Sequence, residues 1–343
     1  MHQKKENRFT NLEKEGRAEL EFRVNDIQEA AADLFIHWLE GDLDCRVKPT
    51  TYESYYRSMY KYVIPFFLKE NNERLTEASI TGFVKTIFED STIADTSKVR
   101  ILSIFKSALK EILKKYPRNY YLLDLIIFPR KGYEEVSVFS MKEQRLIENE
   151  VMFSKDKRAL GIILCFYTGI RIGELCALRW RDIDLEAGVM IISRTVSRVK
   201  NFEAEGSKTK LQIGSTKSRK SLRKIPLPEF LIKLAKESCN DIDNQENYIL
   251  SGKSTPLDPR VYQKIFKRIL VKAGIQDRKF HAIRHTFATR ALELGVDIKT
   301  LSEILGHSSI TITLNIYTHS LIEQKKIAME KFNDMHARAC QKA

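Results

Sequence analysis

Residues 281–319 read HAIRHTFATRALELGVDIKTLSEILGHSSITITLNIYTH. The pattern predicts one helix from His281 to Leu294 and a second from Ile298 to Leu305. A lone tyrosine, Tyr317, follows His307 by ten residues in a segment rich in Ser and Thr. Packing alone can explain the apolar positions around this tyrosine, so its chemistry has to be judged together with the rest of the chain.

The length and the charge of the chain limit its class. A chain of 343 residues favours two units, each with its own apolar core. Lys and Arg number 58 against 45 Asp and Glu, which leaves a net charge of +13. Such an excess favours polyanionic partners, nucleic acid first and an anionic membrane second. The N-terminus has no apolar leader, and no apolar run approaches the ~18 residues of a membrane-spanning helix. We expect a cytoplasmic, nucleoid-associated bacterial protein.

The cysteines give no sign of a metal site or a disulfide framework. They are widely spaced and form no Cys-x-x-Cys pair, so reduced thiols are the expectation. The sequence also has no P-loop and no acidic cluster that could hold two magnesium ions. We therefore predict no metal, no nucleotide and no other cofactor. The five cysteines are Cys45, Cys165, Cys176, Cys239 and Cys340.

Four regions are expected along the chain. Residues 1–24 are charged and nearly aperiodic, typical of a short arm or of a disordered segment. Residues 25–120 predict an all-helical unit, with a cap at Asn25 or Asp26, a helix after Pro49, and amphipathic helices over Thr76 to Glu89 and Asp95 to Tyr116. The stretch KKYPRNYYLLDLIIFPRKGYEEVSV, residues 114–138, carries two prolines and basic residues, and residues 121–138 of it form the predicted linker. Residues 139–343 form the second unit.

The segment TTYESYYRSMYKYVIPFF, residues 50–67, has two explanations. Its tyrosines alternate with Arg57 and Lys61, a mixture that suits a surface lying along phosphates and sugars. Alternatively, half of the tyrosines belong to the core. The sequence leaves both open.

The second unit is predicted to be mainly α-helical with one small antiparallel β-sheet. Ser140 and Glu143 form a capping box, and an apolar helix ends at Gly169. GVMIIS and TVSRV are predicted strands that could pair with each other, and the prolines of RKIPLP place that strand at a sheet edge. Residues 198–214 exceed a minimal hairpin and predict an added β-excursion.

Five short segments of this unit contain side chains suited to breaking a phosphodiester. Each has an ordinary explanation on its own: a capping arginine, a solvated basic strand, a paired His and Arg on a helix face, a capping histidine, and a core tyrosine. The segments are TGIRIGEL with Arg171, TKSRKSLRKIPL with Lys217, HAIRH with His281 and Arg284, LGHSS with His307, and NIYTH with Tyr317.

In combination they meet the needs of an attack on phosphorus by a side-chain hydroxyl. Guanidinium groups offer paired donors to the charge that spreads over the non-bridging oxygens. A phenol is a modest nucleophile but a good leaving group, so a phosphotyrosine is reversible. Lys217 suits proton donation to the departing 5′ oxygen, while His281 and His307 suit uptake of the phenolic proton and a hydrogen bond to an oxygen.

The stretches TGIRIGELCALRWRDID, TKSRKSLRKIPLP and residues 281–319 resemble, in order and spacing, the motifs of the tyrosine recombinases of the phage integrase and Xer type. The resemblance implies a helical, SAM-like core-binding domain over residues 25–120 and a mixed α/β catalytic domain over residues 139–343 with a C-terminal interaction helix. It implies these roles: Arg171 and Arg284 as the two arginines, Lys217 as the β-hairpin lysine, His281 and His307 as the two histidines, Tyr317 as nucleophile, and Glu174 as a supporting acid.

The resemblance further implies a site-specific recombinase that cleaves and rejoins double-stranded DNA at core sites through a 3′-phosphotyrosyl intermediate, without metal or ATP. It implies a homotetramer on DNA that exchanges C-terminal helices, and integration or excision of a mobile element. Dimer resolution of the Xer kind, a relaxing topoisomerase and a catalytically silent DNA-binding accessory protein are the alternatives. The basic residues predicted to contact DNA are Arg57, Lys61, Arg219, Lys220 and Arg223.

Overall fold

The computed structural model describes residues 27–43, 46–129, 136–202, 207–215, 222–239, 244–307, 309–311, 313–314, 329–330 and 332. The chain divides into two compact units between Glu134 and Glu135. Both predicted components, helices and a small amount of antiparallel sheet, are present. Within the described ranges, no helix is long and apolar enough to cross a membrane.

The N-terminal unit is helical throughout its described elements. Asn25 and Asp26, the predicted caps, lie outside the described residues, and α1 begins at Ala31 without a side-chain cap. The elements are α1 (Ala31–His37) continued by a π-helical turn (Trp38–Asp42), α2 (Pro49–Ser58) with a π-helical turn (Met59–Val63), α3 (Ile64–Phe67), α4 (Glu77–Glu89), α5 (Asp95–Ile112) and 3-10 turns at Leu113–Lys115 and Pro117–Leu125.

A cluster of aromatic rings fills the centre of this unit. The ring centroid of Phe105 lies 4.6 Å from that of Phe83 and 5.5 Å from that of Phe35, and Phe67 lies 5.3 Å from Phe35. Tilted contacts at these distances add to the burial of large apolar side chains. The same core extends into the predicted linker, because Leu122, Leu123 and Ile126 are buried in it.

Most of the tyrosines in residues 50–67 lie in the core or pack against it. Tyr52 is buried, and Tyr55, Tyr56 and Tyr62 are half-buried against the core. Tyr60 is exposed and donates to Glu40 at 2.5 Å; this hydrogen bond, with partial burial, raises the pKa of Tyr60 to about 12. Arg57 and Lys61 are exposed.

The second unit combines helices with two small sheets. Ser140 and Glu143 form the predicted capping box, and the apolar helix ends at Gly169 in the left-handed region, with φ 64°. The elements are α6 (Met141–Met152), α7 (Leu160–Thr168), α8 (Ile172–Cys176), β1 (Ile183–Asp184), β2 (Val189–Ile192), β3 (Arg194–Lys200), β4 (Thr209–Ser215), β5 (Arg223–Pro226), α9 (Glu229–Cys239), α10 (Pro259–Lys272), α11 (His281–Glu293) and α12 (Ile298–Leu305), with short 3-10 turns at Lys157–Ala159 and Trp180–Asp182.

The strands pair differently from the prediction. β1, β2 and β5 form an antiparallel sheet in the order β1-β2-β5, which places β5 at an edge as expected. β3 pairs with β4 from Arg194 opposite Ser215 to Lys200 opposite Thr209, so TVSRV does not pair with β2. Only Ser193 separates β2 from β3, and an antiparallel hairpin needs a turn of about two residues. The β3–β4 hairpin is the predicted excursion.

Candidate active site

The centre of the site is the C-terminal turn of α12. Gly306 ends this helix in the left-handed region, with φ 63°, and the backbone N–H of His307 donates to the Ser302 carbonyl at 3.0 Å. The last carbonyls of a helix have no partner within the helix and carry the negative end of its dipole. Arginine side chains from three other segments donate hydrogen bonds to these carbonyls.

Arg171 reaches this turn from the start of α8. Gly169 ends α7, and the chain re-enters a helix in which Arg171 is the N-terminal cap and Glu174 the third residue. Glu174 accepts the backbone N–H of Arg171 at 2.9 Å and its Nη1 at 2.9 Å. The Arg171 guanidinium also donates to the carbonyls of Leu305 at 3.4 Å and Gly306 at 3.2 Å.

Arg284 reaches the same turn from α11. Its Nη2 donates to the Leu305 carbonyl at 2.8 Å, and its Nη1 to the Gly169 carbonyl at 2.7 Å. The residue is buried. Arg284 therefore ties the end of α7 to the end of α12, and these contacts hold its guanidinium beside that of Arg171.

The structure encloses Arg223, one of the residues predicted to contact DNA. Its side chain is 6% exposed, and Nη1 and Nη2 donate to the two carboxylate oxygens of Glu174 at 3.1 and 2.9 Å. Its Nε donates to the Ile304 carbonyl at 2.6 Å. β5 alternates buried and exposed residues, and Arg223 shares the buried side with Ile225. A guanidinium enclosed in this way is not available to a phosphate on the outside of the molecule.

Glu174 remains ionised although it is buried. Burial raises the pKa of a carboxyl, but the hydrogen bonds and charge of Arg223, followed by the charge of Arg171, outweigh that effect and hold the pKa of Glu174 below its ordinary value. One carboxylate therefore lies between two guanidinium groups. With Arg284 nearby, the cluster keeps an excess of positive charge.

The two predicted histidines belong to the same environment. The pKa of His281 is lowered to about 4, first because surrounding protein atoms displace water from the ring and then because of the charges of His285, Arg284 and Arg171. Part of the residue is still exposed to solvent. Burial, followed by Arg284, Arg171, His281 and Arg223, lowers the pKa of His307 to about 3. Both imidazoles are therefore neutral at pH 7 in the free protein, and each has one nitrogen able to accept a proton.

His307 is oriented by a buried hydroxyl. Its Nδ1 lies 2.8 Å from Oγ1 of Thr313, which is 1% exposed. A hydrogen bond at one ring nitrogen decides which proton form the other nitrogen presents. Thr313 therefore orients the His307 ring.

A cleft of about 760 Å³ opens beside these residues. Arg171, His281 and Arg284 line it, which gives them access to a substrate. Arg223 is not among the described residues that line it. The remaining polar lining comes from Thr195, Gln263, Lys267, Asp277, Arg278 and Lys279.

Five of the predicted site residues are therefore brought together: Arg171, Glu174, His281, Arg284 and His307. Lys217, Arg219 and Lys220 fall in residues 216–221, and Tyr317 in residues 315–328, both outside the described residues. In the described part of the chain, no three His, Cys, Asp or Glu residues form a group that could hold a metal ion.

Sequence reasoning missed two parts of the site. The burial of Arg223 could have been found, because Ile225 and Leu227 alternate with it and mark the buried face of the strand. The carbonyls at the end of α12 had no signal, since every residue has a carbonyl and only the fold decides which ones are approached.

The family of the chain follows from comparison with known proteins. Residues 142–324 match the Phage integrase family. The chain belongs to this family. It is 33% identical over 328 residues to a XerC-like tyrosine recombinase of Caldanaerobacter subterraneus, covering 88% of this chain and 82% of that relative. The ICEBs1 integrase of Bacillus subtilis is 23% identical over 303 residues, covering 84% and 78%. The chain is thus a tyrosine recombinase, an enzyme of site-specific DNA recombination.

Solved structures agree on the fold. The Tn1549 transposon integrase, in complex with a circular intermediate DNA, matches 89% of this chain and 100% of that chain with a TM-score of 0.67 and 21% identity. The lambda integrase, as a tetramer bound to a Holliday junction, matches 87% of this chain and 80% of that chain with a TM-score of 0.62 and 20% identity. At these identities the likeness shows the fold.

Proposed function

We propose that this recombinase cleaves DNA by attack of Tyr317 on a phosphate held by Arg171 and Arg284, and that it integrates or excises a mobile element. The observation that carries the proposal is the convergence of Arg171, His281 and Arg284 on one cleft, with His307 beside them. These residues come from α8, α11 and the end of α12. Arg171 and Arg284 also brace the end of α12, but bracing does not explain why they line a cleft together with His281.

In the proposed step, the Tyr317 oxygen replaces the 5′ oxygen on phosphorus. The Tyr317 oxygen forms a bond to phosphorus, and the bond from phosphorus to the 5′ oxygen breaks. One of the two neutral histidines accepts the phenolic proton, while the other hydrogen-bonds a non-bridging oxygen. Lys217 gives a proton to the leaving 5′ oxygen. The guanidinium groups stabilise the charge on the non-bridging oxygens in the transition state. A 5′ hydroxyl from a partner strand then reverses the step, so the bond energy is kept and no ATP is consumed.

Double-stranded DNA is the proposed partner. The net charge of +13 favours a polyanion, and the Tn1549 and lambda integrases are described in complex with DNA. We assign residues 25–120 as the core DNA-binding domain, with Arg57 and Lys61 on its surface, and residues 139–343 as the catalytic domain. Arg219 and Lys220 are proposed DNA contacts on the segment that carries Lys217.

Integration or excision of a mobile element is the proposed use of the reaction. The ICEBs1 integrase and the Tn1549 transposon integrase are the relatives that support it. The XerC-like relative supports the alternative, dimer resolution. The DNA that reacts separates the two: sequences at the ends of an inserted element indicate integration or excision, and a chromosomal site outside any element indicates resolution.

We also propose that four copies assemble on two duplexes, with the C-terminal segment of each docked on the next. The lambda integrase tetramer supports this assembly. Of that segment the structure describes Met329, Glu330 and Phe332, and the two apolar side chains are exposed. Deleting the chain after His319 should leave a protein that binds one site but sediments as a smaller complex on two-site DNA.

The proposal is tested by trapping the covalent intermediate. The protein is incubated in EDTA with nicked duplexes made from the DNA that flanks its gene, and adducts that survive denaturation are recovered. We expect an adduct with the wild-type protein and none with Tyr317→Phe. Tyr121→Phe, a change at an exposed tyrosine of the N-terminal unit, is the matched control and should leave the adduct unchanged. An adduct that forms equally with Tyr317→Phe would reject the assignment.

A further inference from the structure

Arg223 completes a pairing in which one carboxylate holds two guanidinium groups. Glu174 Oε1 accepts from Arg171 Nη1 at 2.9 Å and from Arg223 Nη1 at 3.1 Å. Glu174 Oε2 accepts the Arg171 backbone N–H at 2.9 Å and Arg223 Nη2 at 2.9 Å. All four N–H groups therefore converge on one buried acid.

The two arginines differ in what else they can reach. The side chain of Arg171 is 38% exposed and lines the cleft. That of Arg223 is 6% exposed, and its third donor, Nε, is occupied by the Ile304 carbonyl. Arg171 can therefore meet a phosphate in the cleft, whereas the described contacts of Arg223 are with Glu174 and the end of α12.

We propose that Arg223 is a positioning residue for recombination: by neutralising Glu174, it leaves the charge and the outer donors of Arg171 for the scissile phosphate. The inference rests on the proposed function, in which Arg171 binds that phosphate.

The physical reason is competition for Arg171. A carboxylate and a phosphate are both bidentate partners for a guanidinium group. Without Arg223, the buried carboxylate of Glu174 has one cationic partner left, and it draws both Nη groups of Arg171 into a closed pair. A second arginine that faces away from the substrate prevents this. Glu174 then holds Arg171 in place without consuming its charge.

Arg223 also fixes the frame around Arg171. Its Nε binds the carbonyl of Ile304, and the two following carbonyls, of Leu305 and Gly306, are the ones that Arg171 contacts. Arg223 lies at the first position of β5, directly after the segment that carries Lys217. Loss of its side chain would therefore loosen one anchor of the turn on which Arg171 rests.

The decisive test is whether removing Glu174 rescues the loss of Arg223. Single-turnover cleavage is measured for wild type, R223M, E174Q and the double variant R223M/E174Q on a duplex recovered as a wild-type adduct. The measurement uses saturating protein, at a temperature where circular dichroism shows every variant folded. We expect R223M to cleave about 10- to 100-fold more slowly, less than the ~10²–10³-fold effect of removing a direct donor. The dissociation constant for the duplex should stay within about threefold of wild type, since Arg223 is not among the described residues that line the cleft.

The double variant should be at least threefold faster than R223M, because a neutral glutamine no longer competes for Arg171. A double variant no faster than R223M would overturn the inference, and so would an R223M protein that cleaves at the wild-type rate. Absence of any Tyr317 adduct with the wild-type protein would instead overturn the proposed function.

R223K separates charge from packing. Lysine keeps the positive charge but not the two parallel donors, so the cleavage rate of R223K should lie between those of wild type and R223M. If R223M does not fold, the same comparison is made with R223K and R223K/E174Q. A rate for R223K equal to or below that of a folded R223M would show that the charge is not what matters, and would overturn the inference.

Discussion

Arg171 and Arg284 donate to the same oxygen, the carbonyl of Leu305, at 3.4 and 2.8 Å. Arg223 binds the preceding carbonyl, that of Ile304, at 2.6 Å. The last turn of α12 is therefore the frame on which the arginines of the site are assembled, and His307 follows it directly. A change in the backbone of this turn should alter catalysis without touching any reacting side chain.

Gly306→Ala tests that frame. Gly306 has φ 63°, and a Cβ there would lie 3.0 Å from Arg223 Nη1 and 3.1 Å from its Cδ. Gly274 has nearly the same φ, 66°, with nothing within 4 Å of its Cβ position, so Gly274→Ala is the matched control. Both changes should lower the free energy of unfolding by about 1–2 kcal/mol, the cost of a left-handed alanine. Only Gly306→Ala should slow single-turnover cleavage, and equal cleavage rates in the two variants would contradict the account.

The lowered pKa values of the two histidines should make the stability of the protein depend on pH. The pKa of His281 is lowered to about 4 and that of His307 to about 3, against about 6.5 in an unfolded chain. Between these values the unfolded chain binds more protons, so the histidine contribution is present above about pH 6.5 and is lost as the pH falls towards 4 and 3. We expect the thermal midpoint to fall between pH 7 and pH 5.

His307→Asn, which keeps a polar partner for Thr313, should reduce that fall. The measurement compares the midpoint at pH 7 and pH 5 for both proteins. If the variant loses as much stability as the wild-type protein over this range, the neutral form of His307 is not part of the folded state.

The exposed cations of the N-terminal unit predict a salt effect. Arg57→Ala and Lys61→Ala should each weaken DNA binding, and each should reduce the slope of log affinity against log salt concentration by about 1 if the side chain contacts a phosphate. Lys85→Ala is the control. Lys85 lies on α4, a different helix from that of Arg57, where it is 71% exposed and lies beside Glu89. The cleavage rate of bound protein should not change. A wild-type slope in both test variants would remove this surface from the DNA contact.

The helices could be predicted because their signals are local. Ile298–Leu305 has the predicted bounds, and the Ser140 capping box lies within one turn. The pairing of β3 could not be predicted from strand propensity alone, which selects strands and not partners. The single residue between β2 and β3 is the observation that excludes their pairing.

The sequence indicates which residue types form the candidate site, but not the contacts that hold them in place. Arg171, Glu174, His281 and Arg284 were recognisable by their motifs. The basic run around Arg223 suggested a solvated strand. A charge pattern does not show whether a buried carboxylate from another part of the chain pairs with one of its members. Glu174, the partner of Arg223, lies on α8 in another segment of the chain. Only tertiary structure brings these two residues together.

In the proposed reaction, this cluster of arginines and histidines holds a phosphate for attack by Tyr317. The most direct measurement is peptide mapping of the covalent adduct by mass spectrometry after nuclease digestion. We expect a nucleotide 3′-phosphate attached to the peptide that contains Tyr317, with a free 5′ hydroxyl on the released strand. A phosphate attached to any other residue, or a 5′-linked adduct, would contradict it.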